Sequence, residues 1–281
     1  MCPRGARLIR GVGGYLERAE LVCHCLLLET DRGLILVDTG LGTGDIDDPR
    51  GRLGAVFCAV TGPKLSRDET ALAHVARLGF NRDDVRHIVP THLDLDHAGG
   101  LSDFPAATVH IYDAEHAAAQ LPRTIHERHR YRAAHWAHKP KWAVHSLDGE
   151  RWYGFDAVRA VPGTDGDVLL VPLHGHTRGH CGVAVKTSAG WLLHAGDAYF
   201  FHGEMDPVAP RCTPGLAVFQ RQVAFDDGAR MRNQARLRAL ARDHASEVKV
   251  FCAHSPEELA ELAARETASA PPARTRASAL N

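Results

Sequence analysis

The stretch "VRHIVPTHLDLDHAGG", residues 85–100, constrains this chain more than any other. A short apolar run rich in β-branched residues reads as a strand. It leads straight into His92, Asp94, Asp96 and His97, and the segment then breaks at Gly99 and Gly100. Four imidazole and carboxylate groups this close serve packing poorly, because each needs a polar partner once buried. They suit a divalent ion, whose ligands are nitrogen and oxygen donors held on a rigid frame.

The pattern recurs along the chain. His174, His176 and His180 follow the run "DVLLV", Asp197 follows "GWLLHAG", and His254 ends "VKVFCAH". Each group falls in a turn at the end of an apolar strand, a position from which a sheet projects side chains to a common rim. One such histidine alone would read as a hydrogen-bonded loop residue. Four strand ends carrying His or Asp read as a shared metal site, and nineteen histidines in 281 residues fit a chemical use for several of them.

The remaining elements follow from periodicity and turn signals. "LVCHCLLLETDRGLILVDTG" reads as two strands joined at Thr30–Gly33. "LSRDETALAHVARLGF" reads as a helix with a Ser66/Glu69 capping box, stopped at Gly79. "ATVHIY", "DVLLVPL", "CGVAVKT", "GWLLHAGD" and "VKVFCAH" read as strands; "DAEHAAAQL", residues 228–244 and "PEELAELAAR" read as helices. Strands in both halves with helices between them imply two sheets packed together and covered by helices, in one domain over 1–266. The Pro/Ala/Ser/Thr/Arg-rich tail, 267–281, reads as disordered.

A net charge of −1 with 24% charged residues gives no pull toward nucleic acid or an anionic membrane. Seven cysteines, an odd number without disulfide or zinc-ribbon spacing, fit a reducing compartment. No signal-peptide core or membrane-length apolar run is visible, so a cytoplasmic location is expected. "CHC" at 23–25 reads as core packing, because strand alternation sends Cys23 and Cys25 to one face and His24 to the other.

In this order the motifs resemble the metallo-β-lactamase superfamily, whose signature is T-H-x-H-x-D-H, then G-H-T-x-G-H, an Asp after a Gly, and a late strand-end His. The resemblance spans roughly residues 21–255. It implies an α/β fold, a four-layer αβ/βα sandwich of two mixed sheets flanked by helices, with two divalent ions at one edge. Carried over by position, His92 and His176 would bind the first ion, Asp96, His97 and His254 the second, and Asp197 both. His180 would support the ligand loops rather than bind, His174 has no counterpart, and Asp38 would either hold the ligand loops from behind or only form a turn.

Asp94 departs from the pattern, since the family places His there. As a ligand it would add a third carboxylate and tilt the site from zinc toward iron or manganese. The flavodiiron proteins resemble this chain in having a carboxylate at that place. The alternative is a side chain too short to reach, bonded to a neighbour instead.

The resemblance implies a hydrolase that sets metal-activated water on a small ester, lactone or thioester, with zinc before iron or manganese. Asp96 would shuttle the proton, and Tyr199 or His202 would support the oxyanion unless they only pack. Residues 120–156, rich in His, Trp, Tyr and Arg, would form an insert over the site, or else a surface or homodimer contact. The rivals are a non-haem iron redox enzyme of the same fold and a metal-bearing, non-catalytic binding protein.

Overall fold

The computed structural model describes residues 1–146, 148–268 and 277–280. β1 (Cys25–Thr30) and β2 (Gly33–Val37) form the expected hairpin, with Leu26 opposite Val37 and Thr30 opposite Gly33. β3 (Val85–Val89), β4 (Thr108–Tyr112) and β5 (Lys141–His145) continue the sheet in parallel from β2. The second sheet is built from β6 (Glu150–Trp152), β7 (Phe155–Ala160), β8 (Val168–Pro172), β9 (Cys181–Thr187), β10 (Gly190–His194) and β11 (Val248–Phe251). Its neighbours are antiparallel except β10 and β11. β12 (Ala277–Leu280) closes the first sheet against β1.

Alternation along the strands sorts the side chains into layers. Leu26 and Leu28 of β1, Ile35 and Val37 of β2, and Val183 and Val185 of β9 meet between the sheets. Leu27 and Leu36 face the other way, onto Ala71 and Val75 of the helix Ala71–Arg77 and Ala118 and Ala119 of the helix Asp113–Gln120. Beneath the second sheet, Leu193 and Val250 pack on Leu237 and Leu240 of the helix Asp227–Asp243. With both faces covered, a strand must be apolar throughout, which is why "CLLL" and "LILV" show no polar alternation. The result is the αβ/βα sandwich of two mixed sheets.

Three sequence expectations change here. The Ser66 capping box does not form; Arg67–Glu69 is a separate 3₁₀ turn, and Thr70 caps the following helix through Ala73 N at 3.2 Å. Residues 120–156 are not set apart as an insert: β5 extends the first sheet, the hairpin of β6 and β7 extends the second, and Trp136 is buried in the core with Trp142 packed on it. Within the stretch read as a disordered tail, the helix Pro256–Ala268 runs past Thr267 and 277–280 pair with the open edge of β1. The rest of that tail, 269–276 and Asn281, lies outside the described residues.

Strand direction gathers the site. β2 and β3 are parallel, so Asp38 and the 91–97 turn leave the first sheet at the same edge. β8 and β10 both run antiparallel to β9, and β11 runs parallel to β10, so the turns bearing His176, Asp197 and His254 leave the second sheet together. Cys181 N donates to Thr91 O at 2.9 Å and ties the two edges into one rim.

Candidate metal centre

Seven side chains converge on that rim. His92, Asp94, His176 and Asp197 form one group whose candidate ligand atoms all lie within 4.8 Å of one another; His97, Asp197 and His254 form a second. Asp197 belongs to both, and its two oxygens divide between them. Its Oδ2 lies 3.8 Å from His92 Nε2 and 3.4 Å from His176 Nε2, while Oδ1 lies 3.3 Å from His97 Nε2 and 3.0 Å from His254 Nε2. Asp96 Oδ2 flanks the second group, 3.9 Å from His97 Nε2 and 3.6 Å from His254 Nε2. Donors about 2.1 Å from an ion in a tetrahedron sit roughly 3.4 Å apart, so these spacings fit the edges of a coordination shell.

The hydrogen bonding makes the same point. His92 Nδ1 meets Thr91 Oγ1 at 2.9 Å, His97 Nδ1 meets Asp38 Oδ2 at 2.8 Å, and His254 Nδ1 meets Val22 O at 2.7 Å. In each ring the opposite nitrogen, Nε2, is buried and has no hydrogen-bond partner among the described residues. Buried polar atoms without partners are costly. Histidines held from behind by one nitrogen with the other aimed into a cluster are how metal ligands are oriented. The residues present therefore fit a pair of divalent ions.

Asp94 reaches the cluster. Its Oδ2 lies 3.0 Å from His176 Nε2 and 3.5 Å from His92 Nε2, and Arg130 Nε stands 3.4 Å from its other oxygen. Arg130 is 8% exposed and is fixed by a 3.0 Å bond from Nη1 to His176 O and a short bond from Nη2 to Val223 O. Burial alone would raise the Asp94 carboxyl; the Arg130 charge and then His92 outweigh it and hold the group well below the usual carboxylate range. Burial would likewise raise Asp197, and His254, His97 and His176 hold it well below that range.

Other expected residues fall elsewhere. His180 uses both nitrogens, one on Leu173 O at 3.0 Å and one on Asp197 N at 2.9 Å, so it supports the bridging Asp rather than facing the cluster. Gly196 makes that contact possible: its φ is +53°, and a Cβ there would stand 2.6 Å from His180 Nε2. Asp38, itself at φ 56°, accepts from Thr91 N at 2.7 Å and meets His97, so its place is behind the ligand turn. His174 accepts through its backbone carbonyl from Asn233 and joins no ligand group among the described residues. Tyr199 is a correction: it is fully buried in the second core, and its hydroxyl donates to Glu258 at 2.9 Å, so it supplies no oxyanion donor. His202 faces Glu257, 3.5 Å away.

Three residues escaped the sequence reading. Glu115, fully buried, accepts from Leu93 N (3.0 Å) and Tyr131 OH (3.2 Å) on Oε1, and from Thr177 Oγ1 (2.6 Å) and Gly179 N (3.0 Å) on Oε2. It braces the two ligand turns across the sheets. A lone Glu amid the alanines of "DAEHAAAQ" was its only signal. Arg130 had none beyond its place in the His-rich segment. Cys23, read as core packing, is half-buried with Sγ 3.9 Å from Asp96 Oδ2. Burial, with the charge of Asp96, pushes its thiol up to about 12.

A cavity of about 90 Å³ opens beside Cys23, lined by Met1, Leu21, Val22, Thr39, Leu41 and Ile46, with the paired Lys64 and Glu69 at its border. Among the described residues no helix is long and apolar enough to cross a membrane.

Comparison with known proteins agrees with this geometry. The family model of the metallo-beta-lactamase superfamily matches residues 18–254. A probable metallo-hydrolase of Mycobacterium tuberculosis is 44% identical over 253 residues, covering 88% of this chain and 78% of the relative. An N-acyl homoserine lactonase of Bacillus cereus is 26% identical over 216 residues, 76% of each protein. Among solved structures, a B. thuringiensis enzyme with N-decanoyl-L-homoserine bound at its active site superposes with a TM-score of 0.66 at 22% identity, covering 92% of this chain and 91% of that one. A dizinc quorum-quenching lactonase gives 0.56 at 17% identity, over 91% and 84%. At these identities the structural likeness speaks for the fold.

Proposed function

The chain belongs to the metallo-beta-lactamase superfamily, and from that premise we propose that it is a binuclear metal-dependent hydrolase of a small lactone or related ester. His92, Asp94 and His176 would hold the first ion, Asp96, His97 and His254 the second, and Asp197 both. The observation that carries this reading is the division of the two Asp197 oxygens between His92 and His176 on one side and His97 and His254 on the other, with the Nε2 atoms of His92, His97 and His254 buried and without a hydrogen-bond partner among the described residues. Ions held there would polarise a carbonyl and make a water acidic enough to attack it near neutral pH.

The chain's own residues set the rest. Arg130 places a fixed positive charge against Asp94. The pair together carries the zero charge of the imidazole that the family has at this place, so Asp94 need not make the site less electrophilic. Zinc therefore stays ahead of iron or manganese. Asp96, with Oδ2 toward the second ion's ligands, would serve as the proton shuttle through its other carboxylate oxygen. The cavity wall at Leu21, Val22, Leu41 and Ile46 offers an apolar side that suits a short acyl chain or lactone ring.

The test is a panel of lactones, esters, thioesters and phosphodiesters, run on the chelator-stripped protein before and after zinc is restored. Zinc-dependent turnover with lactones ahead is expected. A protein that takes up two zinc ions and opens none of the lactones overturns the substrate assignment. Activity that appears only with iron and oxygen would replace hydrolysis with redox chemistry.

A further inference from the structure

Cys23 lies where the chain enters β1, and two backbone ties fix its place. Val22 O accepts from His254 Nδ1 at 2.7 Å, and His24 N donates to Ala253 O at 2.8 Å. The residues on either side of Cys23 are thus bonded to the segment that carries His254. Its Sγ stands 3.9 Å from Asp96 Oδ2, and the ligand atoms of Cys23, Asp96 and His254 all lie within 4.8 Å of one another. A second, independent observation points into the same space: His254 Nε2 is buried, belongs to a residue 1% exposed, and has no hydrogen-bond partner among the described residues.

We propose that Cys23 is a thiolate ligand of the second ion, completing a set with Asp96, His97, His254 and the shared Asp197. The proposal rests on the two-ion reading of the site. On binding, the thiol S–H bond breaks, the proton passes to solvent, and a sulfur lone pair bonds the ion; no electron is transferred. Sulfur is the soft donor of this cluster, and it shifts the second position toward zinc and away from manganese. It also places a negative donor on the ion opposite the Asp94 and Arg130 pair, so the two ions become chemically unequal. The first would be the stronger Lewis acid and the second the more tightly held. The same thiol borders the cavity beside the site.

The experiment uses the full chain stripped by chelator and reloaded with cobalt(II), which reports sulfur ligation as a near-ultraviolet charge-transfer band. Two cobalt ions per chain with that band are expected. Cys23→Ala should lose the band and weaken the second ion about tenfold or more, by chelator competition. Cys25→Ala should keep it, because Cys25 Sγ turns to the Cys23 carbonyl at 3.6 Å. Should Cys23→Ala fail to fold, alkylation of the unaltered protein, mapped by mass spectrometry, decides: zinc should protect Cys23. Two bound cobalt ions without a sulfur band, or equal alkylation of Cys23 with and without zinc, overturn the cysteine ligand alone. Failure to bind a second ion at all overturns the two-ion reading beneath it.

Discussion

Around His92 and His176 a carboxylate facing the cluster is backed by a buried cation, Arg130; around His97 and His254 imidazole rings facing the cluster are backed by an anion, Asp38, and a backbone carbonyl, Val22 O. The polarity of the support is inverted between the two halves. Each arrangement leaves the donor layer with a charge that a divalent ion can offset. A ligand's identity therefore cannot be judged apart from what stands behind it: Asp94 looks like an added negative charge until Arg130 is counted with it.

The comparison breaks most completely at the residue common to both halves. Asp197→Ala should remove both ions and abolish metal-dependent turnover, with elemental analysis falling from two ions per chain toward none. Retention of two ions would take Asp197 out of the bridge.

Next in size is the first half alone. Asp94→His supplies the imidazole usual in the family but leaves Arg130 buried without its counter-charge, a defect that costs roughly 3–5 kcal/mol. We expect loss of the first ion and a lower melting temperature. Asp94→His combined with Arg130→Leu should recover part of both, so that the double variant is less damaged than the two single ones added together. Equal metal content in Asp94→His and the parent would show that Arg130 is no partner of Asp94.

The second half should answer to a smaller change. Asp38→Asn keeps the shape but removes the anion behind His97, and should weaken the second ion about 10–100-fold while sparing the first. Ion-by-ion chelator competition reads this directly. An equal loss at both positions would mean that Asp38 acts mainly through Thr91 N, which it also holds.

A last effect, on stability and not on metal content, lies behind the second half. Burial pushes the Glu258 carboxyl up from 4.5 to about 7, against the pull of Cys252 N–H and Tyr199 OH. The folded chain then holds a proton that the unfolded chain releases. Its stabilising contribution is full below 4.5 and is lost as pH rises through 7, by about 3 kcal/mol at most. Glu258→Gln should flatten that slope in urea unfolding measured on either side of the window. An unchanged slope would assign the pH dependence to other groups.

The layers of the fold were legible because their cause is local. Runs such as "CLLL" and "LILV" are apolar at every position, and that alone implies cover on both faces. The ligand turns were legible because each interrupts an apolar strand with a group that must be satisfied. β5 and the hairpin of β6 and β7 were not, since "KWAVH" and "ERW" mix charged and aromatic residues as edge strands do. Tyr199 was misplaced for a related reason: its nearness to Asp197 in sequence says nothing of which core the side chain enters. Arg130, Glu115 and Cys23 act through contacts 36 to 73 positions away, Arg130 on Asp94, Glu115 on Thr177 and Gly179, and Cys23 on Asp96. No periodicity encodes such pairings.

Glu115 has a consequence for how the protein is loaded. One carboxylate grips Leu93, Tyr131, Thr177 and Gly179 at once, from turns on both sheets, and none of these bonds involves an ion. The receptacle thus stands assembled before any cation arrives, and capture has little chain entropy to overcome. Stripped protein should keep its shape and refill without refolding. The gain in stability on reloading should then follow free-ion concentration by mass action, rising by RT ln(1 + [ion]/Kd) for each position.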